Sequence, residues 1–110
     1  MKQIFHITEV QTWTSQASSE DYLPTAYPKE GFIHTSNKDQ VLGVYDRYYS
    51  KSPNLILLVI DGSRLTSELR EEPSSHGLFP HIYGPINKDA IIAALNFSTK
   101  KQLQKILKNY

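Results

Sequence analysis

The residues best suited to chemistry in this 110-residue chain cluster around three histidines, and the densest cluster is Glu72 to Pro85, EPSSHGLFPHIYGP. Pro80 and Pro85 fix φ, and Gly84 admits φ > 0. If Pro80 to Tyr83 is extended, alternation sends His81 and Tyr83 to one face. An imidazole beside a phenol on a rigid backbone suits binding or proton transfer, whereas a plain proline-bounded edge strand would leave both groups facing water. Gly31-Phe32-Ile33-His34-Thr35-Ser36 forms a second cluster. There a strand hands over to a helix N-terminus, where free N–H groups and the helix dipole favour phosphate or carboxylate. His6 lies in the first apolar segment, and His76 lies in a polar loop.

By type, His6, His34 and His81 match the three imidazoles of a catalytic zinc site. No two of them are spaced i, i+4 and no carboxylate adjoins them, so no metal is expected. Ser36 lacks a Gly-x-Ser-x-Gly elbow and reads better as a helix cap than as a nucleophile. The adjacent acids Glu71 and Glu72 read as a solvated pair. If Glu72 turns into a cleft with His81, its carboxylate would stabilise positive charge at a sugar carbon or hold a ribose hydroxyl.

The elements that must position these groups follow from periodicity. Lys2 to Ile7 reads as a strand, and Thr8 with Gln11 as a capping box for a helix from about Glu9, packed through Val10, Trp13 and Ala17. Ser18 to Glu30 carries Pro24 and Pro28 and reads as a surface loop or lid. Ser36 with Asp39 caps a helix over Lys38 to Tyr49, with Val41, Val44, Tyr45 and Tyr48 on its inner face. Leu55 to Ile60 is an unbroken apolar run, which predicts a central strand covered on both sides. Ser63 to Thr66 reads as a helical turn, Glu68 to Glu72 as a strand, and Pro73 to Leu78 as a loop. Ala90 to Phe97 fits either a helix or a strand. Thr99 and Gln102 cap an amphipathic final helix with Leu103, Ile106, Leu107 and Tyr110 on one face.

Composition narrows the function classes. The chain is one domain, residues 1–97, with the basic helix of residues 98–110 packed on it or appended to it. Without cysteine there is no disulfide framework and no thiolate nucleophile. MKQIFHITEV turns polar too early for a signal peptide, and no segment is long enough to span a bilayer, so a cytoplasmic, membrane-free protein is expected. Net charge is +1, with Lys100, Lys101, Lys105 and Lys108 all in the last eleven residues. The remaining 8 basic and 11 acidic residues give −3, which argues against a nucleic-acid partner.

Phe5-His6-Ile7, Trp13, Gly31 to Ser36, Gln40-Val41, Glu72 and Phe79 to Pro85 together resemble the bacterial family catalogued as domain of unknown function 952, over about Lys2 to Phe97. That family resembles the ADP-ribosyltransferase-like superfamily in fold. The resemblance implies an α+β, ADP-ribosyltransferase-like architecture, a split twisted β-sheet with flanking helices and a cleft between the halves. It implies NAD, or an ADP-ribosyl or other nucleotide compound, as substrate. It assigns the adenosine-side ribose or phosphate to His6, the nicotinamide side to His34, Thr35 and Ser36, and the nicotinamide ribose to Glu72. His81 and Tyr83 belong to the narrower family's signature, with His81 beside Glu72 in the catalytic pair. The alternatives are a non-catalytic module that binds a nucleotide or small anion in the same cleft, and an interaction module built on the basic helix.

Overall fold

The computed structural model describes residues 2–110. The first half of the chain forms β1 (Gln3–Glu9), α1 (Val10–Thr14), β2 (Asp21–Tyr22), α2 (Tyr27–Glu30), β3 (Ile33–His34) and α3 (Val41–Val44). A π-turn, Tyr45–Tyr49, continues α3. Then come β4 (Leu55–Asp61), β5 (Glu68–Ser74), β6 (Gly77–Tyr83), β7 (Ile86–Asn87), β8 (Ile91–Phe97) and α4 (Lys100–Leu107).

Leu55 to Ile60 of β4 are all buried, as an unbroken apolar run requires, and Asp61 at the strand's end is buried with them. It is the middle strand of an antiparallel sheet ordered β1-β4-β8. Alternation divides this sheet's side chains between two cores. Phe5, Ile7, Leu55, Leu57 and Val59 pack against Val41, Tyr45, Leu103 and Leu107 of the helical layer. Ile4, Ile56, Leu58 and Ile60 face the other way and meet Tyr22, Ile33, Ile82 and Ile86. These last come from a second antiparallel sheet, β3-β6-β5, and the short β2-β7 pair. The chain is therefore α+β, with helices, sheet and smaller sheets stacked as layers. A single bridge joins the two larger sheets: Phe5 and Ser36 exchange two N–H···O bonds, both of 2.8 Å.

Several local expectations shift. Thr8 does not cap α1, because its hydroxyl lies 2.6 Å from the Tyr22 hydroxyl and is spent there. Ala17 falls in the turn after α1, while Val10 and Trp13 pack on the core as expected. Ser18 to Glu30 is no free lid. Tyr22 is fully buried, and the Gln16 side chain bonds both the N–H and the C=O of Leu23 at 2.8 Å. Asn37 with Gln40, one residue beyond Ser36 and Asp39, caps a 3₁₀ turn, Lys38–Gln40, that leads into α3; the Asn37 N–H donates to Gln40 Oε1 at 2.8 Å.

The π-turn changes which tyrosine faces the core. In a regular α-helix Tyr48, seven residues after Val41, returns to the inner face. The wider i→i+5 winding delays that return by about one residue. Tyr49 turns in instead, donating from its hydroxyl to the Ile7 carbonyl at 3.2 Å, and Tyr48 is left 68% exposed.

β5 runs on through Pro73, which an edge strand tolerates because it has a neighbour, β6, on one side only. Residues 90–97 resolve into a short turn and β8. The Thr99 and Gln102 cap forms as expected, with Thr99 Oγ1 accepting from the Gln102 N–H at 3.2 Å. Gly84 lies at φ +141, and an added Cβ would come within 2.4 Å of Ser67 Oγ and 2.9 Å of Ser67 Cβ. Gly84→Ala is expected to cost about 1–3 kcal/mol of unfolding free energy in urea melts. Adding Ser67→Gly should relieve the contact but not the φ strain, so full recovery would contradict this account.

Candidate functional site

The hairpin β5-β6 places its chemistry by register. Arg70 lies opposite His81 and Glu72 opposite Phe79. The face carrying these four also carries Tyr83 and, from β3, His34, which is paired with His81. Ile33 and Ile82 fill the core on the other face.

On the polar face Glu72 Oε1 accepts two hydrogen bonds, one from His81 Nδ1–H at 2.8 Å and a short one from the Tyr83 hydroxyl. Those two bonds, the phenol's first, hold the Glu72 carboxyl below the usual carboxylate range. The same contact raises the Tyr83 phenol. The Arg70 guanidinium sits 4.4 Å from the Tyr83 ring centroid and pairs with Glu68 at 2.9 Å. Phe32 stacks on His81, with centroids 4.2 Å apart and planes 23° apart, and His34 meets His81 edge-on at 5.2 Å. The His81 ring is thus fixed on three sides and its protonated nitrogen assigned by a carboxylate.

His6 reaches the same place from β1. Its Nδ1–H donates to the His34 carbonyl at 2.6 Å. Burial lowers its pKa from 6.5 to about 4, so the ring is neutral at physiological pH with its lone pair on Nε2. Among the described residues no buried side-chain nitrogen or oxygen lacks a partner. Among the described residues neither His6 nor His81 has a hydrogen-bond partner on Nε2, so neither Nε2 is fully buried. Both rings line a cleft of about 810 Å³, together with His34, Ser36, His76 and Arg47.

Of the residues singled out in the sequence, His6, His34, Thr35, Ser36 and His81 all line this cleft. Thr35 is spent on structure: its hydroxyl and its N–H both donate to the Pro80 carbonyl, at 2.6 and 3.2 Å. Glu72 and Tyr83 do not line the cleft and act on it through His81. The helix start after Ser36 offers no open Asn37 N–H, because Gln40 covers it. Among the described residues no group of three His, Cys, Asp or Glu is arranged to hold a metal ion. Sequence reasoning passed over Arg47, because the π-turn that brings it to the cleft has no periodic signature.

The sequence pattern of one family, described as protein of unknown function (DUF952), matches residues 7–94. The chain belongs to that family. As a DUF952 protein it carries His34, Ser36, Glu72, His81 and Tyr83 inside the matched segment, with His6 one residue before it. The crystal structure of CC0527 from Caulobacter crescentus has the same fold, with TM-score 0.86 and 23% identity, covering 97% of this chain and 99% of that one. A double mutant of CC0527 gives 0.85 at 22% identity, with the same coverage. Its solution NMR structure gives 0.75 at 24%, covering 89% of this chain and 86% of that one. Coverage of 97% leaves only a few residues unaligned, so α4 belongs to the shared fold although the family match ends at residue 94. No curated protein matches the chain. Among the described residues no helix is long and apolar enough to cross a membrane.

Proposed function

We propose that the cleft binds a hydroxyl-bearing small molecule of the ribosyl class, such as NAD or an ADP-ribosyl compound, and that His81 exchanges a proton with it. The observation that carries this reading is the 2.8 Å bond from His81 Nδ1–H to Glu72 in a residue that lines the cleft. A carboxylate behind an imidazole fixes the tautomer and stabilises the imidazolium when Nε2 takes up a proton. Nε2 would accept a proton from a hydroxyl or water and return it to the leaving group. Glu72 and Tyr83 are positioning residues in this scheme.

His6 complements His81. Its Nδ1–H is committed to a backbone carbonyl, so Nε2 can only accept, and it suits a ligand hydroxyl. The resemblance to the ADP-ribosyltransferase-like superfamily, which implies a crevice that takes NAD or an ADP-ribosyl compound, supports the ligand class. The role of the carboxylate differs, because Glu72 stands behind an imidazole instead of touching the sugar. A non-catalytic reading has one observation in its favour: His81 is only 8% exposed beneath Phe32, which suits holding a ligand as well as proton exchange.

Titration with NAD and ADP-ribose, followed by imidazole ¹H–¹⁵N NMR, tests the site. Saturable shifts of the His6 and His81 signals are expected, and still signals at millimolar ligand would end the proposal. Where turnover is detected, Glu72→Gln should lower kcat by about 100-fold or more while leaving KM nearly unchanged. Binding without turnover, unchanged in Glu72→Gln, would favour the non-catalytic module.

A further inference from the structure

Arg47 is the only lysine or arginine among the described residues that line the cleft, whose lining also includes two carboxylates, Glu9 and Glu30. The other two arginines are paired, Arg64 with Asp61 at 3.5 Å and Arg70 with Glu68 at 2.9 Å. Among the described residues no carboxylate oxygen lies within 4.0 Å of Arg47, and its guanidinium makes no hydrogen bond. A free guanidinium on a cleft wall is a fork of donors without an acceptor.

Two features of the backbone hold it there. Gly43 lies one turn earlier, and an added Cβ would come within 3.1 Å of Arg47 Nη1, so the absent side chain is the seat of the guanidinium. The π-turn that moves Tyr49 inward leaves Tyr48 on the rim at 68% exposure, with Arg47 Cζ 5.8 Å from its ring centroid. Widened turns of this kind sacrifice regular α-helical hydrogen bonding and recur at functional sites. Here the irregularity presents a cation and a flat ring together, at a part of the cleft built from a different element than the His81 hairpin.

We propose that Arg47, with Tyr48 beside it, is the phosphate-binding subsite of the cleft, so that the ligand carries a phosphate group in addition to the hydroxyls offered to His6 and His81. This rests on the reading of the cleft as a ribosyl-ligand site and gives the ligand's phosphate a place on its wall. One cation against two carboxylates accommodates an isolated phosphate and disfavours a nucleic-acid backbone, which needs a row of cations. The guanidinium takes two phosphate oxygens through paired N–H donors, and the Tyr48 ring offers a face for a planar group.

The test compares AMP with adenosine on the full chain, by NMR with Arg47 Nε–Hε, Tyr48 ring and histidine signals resolved. AMP should shift the Arg47 and Tyr48 signals and bind about tenfold or more tighter than adenosine. Arg47→Ala, a surface truncation whose fold is checked by its backbone spectrum, should reduce AMP affinity to that of adenosine and leave adenosine unchanged. Equal AMP affinity in wild type and Arg47→Ala, or no Arg47 shift at millimolar AMP, overturns the proposal. AMP-induced shifts at His81 without any at Arg47 sink the phosphate subsite alone. Shifts at Arg47 without any at His81 uphold the subsite and remove the proton-transfer reading of His81.

Discussion

Between pH 6.5 and about 4 the protein is expected to lose about 3 kcal/mol of unfolding free energy through one imidazole, that of His6. Burial is the main cause of its lowered pKa; the bond to the His34 carbonyl opposes the shift, and the charge of His34 adds to it. The unfolded chain binds a proton on this ring below pH 6.5, whereas the folded chain does not until about pH 4. Stability therefore rises with pH across that window and does not depend on His6 below or above it. Glu72, Asp61 and Glu68 are shifted downward, so their contributions disappear only as pH falls below the ordinary carboxylate range. Urea melts at half-unit pH steps should show the slope, and His6→Asn, which keeps a side-chain N–H for the carbonyl, should flatten it. A wild type with level stability over this range, or a slope that survives in His6→Asn, would contradict a buried neutral imidazole.

Leu58→Ala is the second large effect, expected at about 2–5 kcal/mol. Leu58 has no exposed surface, pairs with His6 across β1 and β4, and lies in the core shared by the two larger sheets. The loss combines transfer of the side chain to water with a cavity that rigid strands on both sides cannot fill. Because the cavity opens beside His6, the imidazole signals should broaden or shift as well. Leu78→Ala, at a site 57% exposed, serves as the comparison and should stay within about 0.5 kcal/mol. Similar costs at the two positions would refute the assignment of Leu58 to the core.

Much of the framework was legible because it rests on local signals. The apolar run of β4 required burial on both faces, and Thr99 with Gln102 announced the last helix. The segment Ala90 to Phe97 stayed ambiguous because AIIAALNF fits both periods, and only pairing with β4 decides it. Ser36 and Asn37 are both competent caps, so a one-residue slip there is invisible to composition. Tyr48 was assigned inward on a regular helical period that the π-turn breaks. At the site, the histidines were recognisable by type and spacing, but the task of Glu72 was not. Its bond to His81 depends on hairpin register, which places Glu72 opposite Phe79 and diagonal to the imidazole. The basic helix also changes meaning: Leu103 and Leu107 lie in the core, so removing residues 98–110 would strip part of the helical layer, not detach an interaction arm.

The order of pairing has a consequence for assembly during synthesis. β5 and β6 are neighbours in the chain, separated only by Ser75 and His76, so the Glu72–His81–Tyr83 trio needs little more than a closed hairpin. The strand bearing His6 has no such nearby mate: Glu9 waits for Leu55, and Gln3 for Asp61. β4 in turn completes its own pairing with the last strand of the chain. Long loops make those contacts entropically late. A nascent chain can thus build the Glu72–His81–Tyr83 side of its crevice locally, while the strand bearing His6 must wait until nearly the whole polypeptide has left the ribosome.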